Sequence, residues 1–171
     1  MPDFFRVVAK GRVPLGFLCG VVVLWLARPT FRSVAIGGAI AAAGEMLRIW
    51  AAGHLEKGRE VTQSGPYRLT RHPLYAGSAI IGLGAAVAVR RLSITALIAA
   101  YLGVTILAAV RSEEAGMRAA FGDQYDAYAQ SRAEPVSRRF SLSRAIRNKE
   151  YRAVAGLAAG AVLLAVKAVF R

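Results

Sequence analysis

Long runs without a single charged side chain, separated by basic connectors, constrain this chain more than any other feature. The charge-free runs are Val13–Ala27 (15 residues), Ser33–Gly44 (12), Pro73–Val89 (17), Leu92–Val110 (19) and Ala153–Val166 (14). A bilayer crossing takes about 20 apolar residues, so only the fourth run approaches a span unaided. The others reach it once Arg12, Arg32 and Lys167 can snorkel their charged heads to the interface. Short core helices of a soluble domain are the alternative. Five such runs in 171 residues leave too little polar surface to cover one. The expected fold is all-α: one integral membrane helical bundle over residues 1–171, with about five transmembrane helices.

Charge placement supplies a topology. Arg6, Lys10 and Arg12 precede the first run as in a signal peptide, but Leu26-Ala27-Arg28-Pro29 makes a poor cleavage site, so a retained anchor is expected. With the N-terminus inside, 17 of the 23 basic residues fall on the inner side and 6 outside. That split predicts N-in and C-out, in a bacterial inner membrane with cytoplasmic connectors. The formal charge of +13 is then chiefly a topology signal, with contacts to anionic lipids added. A nucleic-acid partner is not expected, because such binders do not carry so many long charge-free stretches. Disorder is excluded by the 56% hydrophobic content, and a disulfide framework by Cys19 being the only cysteine.

Arg28-Pro29-Thr30 and Arg90-Arg91 read as tight outer turns, whereas 44–72 and 111–152 are long, polar and carry every acidic residue except Asp3. Chemistry is expected there, on the inner face. The second span is predicted to run on through Glu45-Met-Leu-Arg48-Ile-Trp50, with Glu45 and Arg48 paired three residues apart. Gly16/Gly20 and Gly156/Gly160 have small-xxx-small spacing, which predicts close helix packing with Cys19 as filler.

In the first connector, Ser64-Gly65-Pro66-Tyr67 predicts a turn, and Pro73 marks the first turn of the third helix. This clusters Tyr67, Arg68, Arg71, His72 and Tyr75 at the mouth of the bundle. His54, before the turn, is expected to face solvent. The second connector opens with Glu113-Glu114 on a helix continuing from the fourth span, then Phe121-Gly122 and Tyr125…Tyr128, the two tyrosines sharing a face. Residues 138–152, with six basic side chains and the single acid Glu150, are expected to lie on anionic lipid. No phosphate loop, dinucleotide fingerprint or HExxH site occurs. With two histidines and one cysteine, no metal is expected.

Gly65-Pro66-Tyr67…Arg71-His72-Pro73-Leu74-Tyr75…Gly77 resembles the signature of the isoprenylcysteine carboxyl methyltransferase family and of the related phospholipid N-methyltransferases. Glu113-Glu114 with Phe121-Gly122 and Tyr125…Tyr128 resembles that family's second signature. Ala133-Glu134-Pro135 departs from it, since members typically have an apolar residue before the proline. The resemblance implies an integral membrane methyltransferase using S-adenosyl-L-methionine. It implies a cofactor pocket of Tyr67, His72, Pro73, Leu74, Tyr75, Glu113 and Glu114, with either glutamate facing the ligand. Arg71 is the nearest candidate for the methionyl carboxylate, and Arg71, His72 and Glu114 are the catalytic candidates. Glu45, Arg48, Tyr125 and Tyr128 are candidates for binding a lipophilic acceptor entering from the inner leaflet.

A carboxylate acceptor needs no base. An amine must lose a proton, for which His72 or Glu114 would serve. With no isolated base visible, a lipid-like or prenylated carboxylate is favoured over a phospholipid amine. Other classes are a nicotinamide-dependent membrane reductase and a scaffold or transporter. Transport predicts midplane charges and an internal repeat, and the chain has neither.

Overall fold

The computed structural model describes residues 2–133 and 136–170, with side chains described from Pro14 onward. The side chains of Arg6, Lys10 and Arg12, the Glu134-Pro135 departure and Arg171 lie outside the described residues. The helices are α1 (Pro2–Leu26), α2 (Phe31–Ala52), α3 (Pro73–Val89), α4 (Leu92–Ala129), α5 (Leu142–Arg147) and α6 (Tyr151–Val169), with a 3₁₀ turn at Gly65–Arg68. All regular structure among the described residues is helical.

Three helices, not five, are long and apolar enough to cross a membrane: α2, α4 and α6. The 17 residues of α3 rise about 26 Å, short of the roughly 30 Å hydrocarbon layer. The described apolar part of α1, Pro14–Leu26, is shorter still. The chain is an integral membrane protein on these helices.

Local chemistry sets the helix ends. Pro29 cannot extend α1, and Thr30 and Ser33 form a capping box at the start of α2, each hydroxyl accepting from the other's backbone N–H (3.2 and 2.9 Å). Ser33 Oγ also donates to Ala88 O at 2.9 Å, which ties the start of α2 to the end of α3. Pro73 is the first residue of α3, where its missing N–H costs nothing.

The closest helix packing is α2 against α3, through glycines seven residues apart on each. A Cβ on Gly37 would lie 2.3 Å from Gly84 O, and one on Gly44 would lie 2.7 Å from Gly77 O. The expected Gly16/Gly20 and Gly156/Gly160 seams are not used this way. Gly16 abuts the Tyr101 hydroxyl, but Gly20, Gly156 and Gly160 have nothing within 4 Å of an added Cβ. Small spacing signals that a close approach is possible, and the α2–α3 pairing decides where it occurs.

One end of the bundle is held by a small apolar core of Ala27, Ala88, Val89, Ile94, Ile98 and Leu164. There Arg28 N donates to Val89 O at 2.9 Å, and Lys167 Nζ donates to Leu24 O at 2.7 Å, closing the open end of α1. At the other end the two long connectors are laced together. Arg138 pairs with Glu60 through both Nη atoms (2.6 and 2.7 Å), and Arg144 Nε meets Glu56 at 2.7 Å. Asn148 Nδ2 donates to Ala52 O and Leu55 O, both at 2.9 Å. Two cations assigned from sequence to the lipid surface are thus consumed by protein carboxylates. Leu142, Ile146, Arg139 and Arg147 of the same segment remain exposed.

His54 corrects a further expectation, because it is only 4% exposed rather than facing solvent. Its Nδ1 lies 3.0 Å from Trp50 O, its ring packs near Phe140, and it sits against Gly65. Gly65 adopts φ 58° there, and a Cβ would lie 2.6 Å from the imidazole. The turn needs glycine for both its dihedral and its clearance.

Candidate active site

Past its charge-free run α4 continues as a helix, and Glu114 lies one turn beyond Val110. This projects it toward His72, the residue capping the start of α3. Glu114 Oε1 lies 3.1 Å from His72 Nε2 and 3.2 Å from Arg71 Nη1, while Oε2 lies 3.5 Å from Arg118 Nη1. Of the two adjacent glutamates, Glu114 is therefore the one engaged with the His72 motif. Glu113 is exposed and has no ion pair among the described residues. Partial burial pushes the Glu114 carboxyl up, but the His72 hydrogen bond and the Arg71, His72 and Arg118 charges hold it below the usual glutamate range.

The tyrosines close the site from above. At Gly122 the backbone of α4 leaves helical geometry (φ 44°, ψ −121°), a conformation glycine adopts readily, so the last stretch turns back. Tyr125 and Tyr128 then share a face, ring centroids 6.3 Å apart, and Tyr128 Oη donates to Tyr67 O at 2.7 Å. Arg118 stacks 5.5 Å over Tyr125 and reaches Asp126 at 3.3 Å. Burial is the largest cause of an upward shift in all three phenols: it pushes Tyr67 and Tyr125 up and Tyr128 up to about 12. For Tyr67 the charge of Glu113 and, further down, that of Glu150 add to the effect.

The structure thus brings Tyr67, Arg71, His72, Tyr75, Glu114, Tyr125 and Tyr128 to one end of α3 and α4. Pro73 is buried as the first helical residue, and the Leu74 carbonyl accepts from Ser78 Oγ (3.0 Å). Glu45 and Arg48 pair as expected, at 3.4 Å, but on the face of α3 that meets α2, away from Glu114. There Arg48 has a stronger partner that sequence reasoning missed, Glu150, at 2.6 Å. Arg118 was also missed, although its i,i+4 spacing from Glu114 was a readable signal.

An open apolar groove of about 520 Å³ runs between α3 and α4, lined by Gly82, Leu83, Ile98, Leu102, Ile106 and Val110 among others. Its connector end, at Val110, lies one helical turn from Glu114. Among the described residues no three His, Cys, Asp or Glu side chains converge as a metal-ligand set.

Helices long and apolar enough to cross a membrane, with a polar cluster one helical turn from the end of an apolar groove, define an integral membrane protein with polar groups set beside an apolar groove. The phospholipid methyltransferase family model matches residues 12–124, and the chain belongs to that family. No curated protein and no solved structure gives a match. Membership makes the matched part an S-adenosylmethionine-dependent methyltransferase acting on a membrane lipid.

The polar groups present fit that cofactor. It requires acceptors for an ammonium and two ribose hydroxyls, and donors for a carboxylate. Tyr125 Oη and Ser64 Oγ are buried without a hydrogen-bond partner, and no side chain caps the first turn of α3. Glu113 is open to a cation.

Proposed function

We propose that the chain N-methylates the amine of a membrane phospholipid. The family shifts the reading away from the carboxylate acceptor that the motifs alone favoured. One observation carries it: His72 directs Nε2 at Glu114, 3.1 Å away, and leaves Nδ1 buried with no partner. A neutral imidazole that donates from Nε2 has its lone pair on Nδ1, the arrangement of a general base held by a carboxylate. An amine acceptor needs such a base, and a carboxylate acceptor does not.

Bound S-adenosylmethionine would supply a methyl on a sulfonium, whose carbon–sulfur bond breaks as the acceptor nitrogen's lone pair forms the new bond. His72 takes the ammonium proton at Nδ1, and Glu114 steadies the imidazolium so formed. Glu113 receives the cofactor's ammonium or ribose hydroxyls. Tyr67, Pro73, Leu74 and Tyr75 wall the pocket, and Arg71 exchanges part of its Glu114 contact for the methionyl carboxylate. Tyr125 and Tyr128 cover the site and exclude water. The acceptor's acyl chains lie in the α3–α4 groove, each buried methylene contributing about 0.8 kcal/mol.

The test is radiolabelled methyl transfer by purified protein to phosphatidylethanolamine and to a prenylcysteine of comparable apolarity. We expect a base-stable product on the amine lipid and its loss in His72→Ala. Labelling of the prenylcysteine alone, as a base-labile ester, rejects the reading.

We further propose that α1 and α3 also cross the bilayer, giving five spans in one domain over residues 1–171, with the N-terminus and both long connectors in the cytoplasm of a bacterial cell. The 17 basic residues on that side support this. So does the pairing of α3 along α2 from Gly84–Gly37 to Gly77–Gly44. A reporter fused at the C-terminus should be external, and a cytoplasmic signal rejects the five-span arrangement.

A further inference from the structure

Arg118 touches the site on two sides, and the chemistry above gives it no part. Its Nη1 lies 3.5 Å from Glu114 Oε2 and its Nε lies 3.3 Å from Asp126 Oδ1. The guanidinium carbon stands 5.5 Å from the centre of the Tyr125 ring, within reach of a cation–π contact. Glu114 and Asp126 are twelve residues apart in the chain, which on an unbroken helix is about 18 Å. The break at Gly122 (φ 44°) folds the end of α4 back, so that one side chain meets both. Stability does not account for the arrangement. Arg118 and Asp126 keep 49% and 46% of their side-chain surface open, and ion pairs so exposed contribute little. What the contact fixes is the orientation of Glu114.

Glu114 has two arginine partners, and they are not equivalent. Arg71 reaches Oε1, the oxygen that also faces His72 Nε2. Among the described residues it makes no other ion pair or hydrogen bond. It is therefore free to turn to the methionyl carboxylate when S-adenosylmethionine binds. Arg118 reaches the opposite oxygen, Oε2, and is anchored from behind by Asp126 and the Tyr125 face. A cation so anchored stays on Glu114 when Arg71 leaves. With Oε2 pinned, Oε1 remains directed at His72, and the hydrogen bond at Nε2 decides which nitrogen of the ring carries the proton.

We propose that Arg118 is a positioning residue. It clamps the outer oxygen of Glu114 against the Tyr125–Asp126 segment and so holds His72 in its Nε2–H tautomer once the cofactor has drawn Arg71 away. The consequence for catalysis rests on the N-methylation reading. The effect on the imidazole does not depend on the acceptor.

The chain has two histidines, so NMR spectra of labelled imidazole nitrogens separate His72 from His54. Full-length wild type, Arg118→Met and Asp126→Asn would be compared in micelles, in mildly alkaline buffer with S-adenosylhomocysteine bound. Wild type should show His72 as the Nε2–H tautomer. Arg118→Met should move part of that population to the Nδ1–H tautomer while His54 stays unchanged. Asp126→Asn, which frees Arg118 from behind without touching Glu114, should reproduce the change in smaller measure. Identical His72 spectra in wild type and Arg118→Met overturn the proposal, and so does a parallel change at His54, the sign of general loosening. In methyl transfer to phosphatidylethanolamine, Arg118→Met should lower kcat by about tenfold, part of the roughly hundredfold or more that a general base contributes. KM for the lipid and S-adenosylhomocysteine affinity should not change. Amine methylation with unaltered kcat in Arg118→Met sinks the positioning role and leaves N-methylation standing. The tautomer change in a protein that methylates no amine does the reverse.

Discussion

Gly44→Ala tests whether the site depends on the glycine seam 28 residues upstream of His72. The new Cβ would lie 2.7 Å from Gly77 O, 2.9 Å from Ile81 N and 3.0 Å from Ile80 Cβ, while ordinary contacts begin near 3.4 Å. Two of these neighbours are backbone and cannot rotate away, so α3 must shift by about 0.7 Å, the difference between 3.4 and 2.7 Å. Overpacking of this kind costs about 1–3 kcal/mol. Because α3 carries His72, a displacement of that size also alters the 3.1 Å contact with Glu114. Misplacing catalytic groups by about 1 Å costs on the order of a hundredfold in rate. Gly38→Ala is the control, since it lies on the same helix with nothing within 4 Å of its Cβ. Both substitutions gain the same helix propensity, about 1 kcal/mol, so their difference isolates the clash. Thermal unfolding in micelles and methyl-transfer rates would be measured for both. Equal stability and equal rate in the two variants would refute the claim that this seam positions the site.

Two further outcomes follow from the same geometry. Glu114 and Glu56 are both held below the usual glutamate range, Glu56 chiefly by its hydrogen bond from Arg144, with the Arg144, Arg147 and Arg138 charges adding to it. A depressed folded-state value means the stabilisation is present above the unfolded pKa, about 4.3, and is lost as pH falls through the folded one. Acid unfolding curves should therefore be shallower in Glu114→Gln, and shallower again when Glu56→Gln is added, whereas unchanged curves would remove both ion pairs from the account. His54→Ala should lower stability by about 1–3 kcal/mol through the lost Trp50 contact and the hollow beside Gly65. S-adenosylmethionine affinity of the folded fraction should stay near wild type, as titration calorimetry would show.

The parts legible in the sequence were those written in contiguous residues. Pro73 announced the start of α3, Gly65 the turn, and the 65–77 and 113–128 motifs the two segments that meet through Glu114, His72, Tyr128 and Tyr67. Glu45 and Arg48 could be paired because three residues on a helix share a face. The rest depended on which faces meet. α2 is apolar around most of its surface, so nothing local distinguishes Gly37 and Gly44 as the contact glycines from Gly16 and Gly20. His54 looked exposed because its cover, Phe140, comes from a connector more than eighty residues away. Glu150 stood as a single acid in a basic run. Only the return of α6 beside α2 puts it on Arg48. Span length was legible only in part: the sequence offers five charge-free runs extended by snorkelling flanks, whereas α2, α4 and α6 alone reach spanning length by themselves among the described residues, and α3 stops at Val89 with Arg90 in a left-handed conformation (φ 50°).

The lacing of the two connectors has a meaning in time as well as in space. Asn148, which bonds to Ala52 O and Leu55 O, is synthesised 96 residues after its first partner. At ribosomal rates of about 5–20 residues per second, that interval is on the order of 5–20 s. During it α2 and α3 can already dock, glycine to glycine, while Glu56, Glu60 and Arg48 wait for Arg144, Arg138 and Glu150. The connector end of a nascent chain is therefore unfinished until almost the last helix has emerged, and a ribosome stalled near residue 130 would leave a docked hairpin with an open, uncompensated mouth.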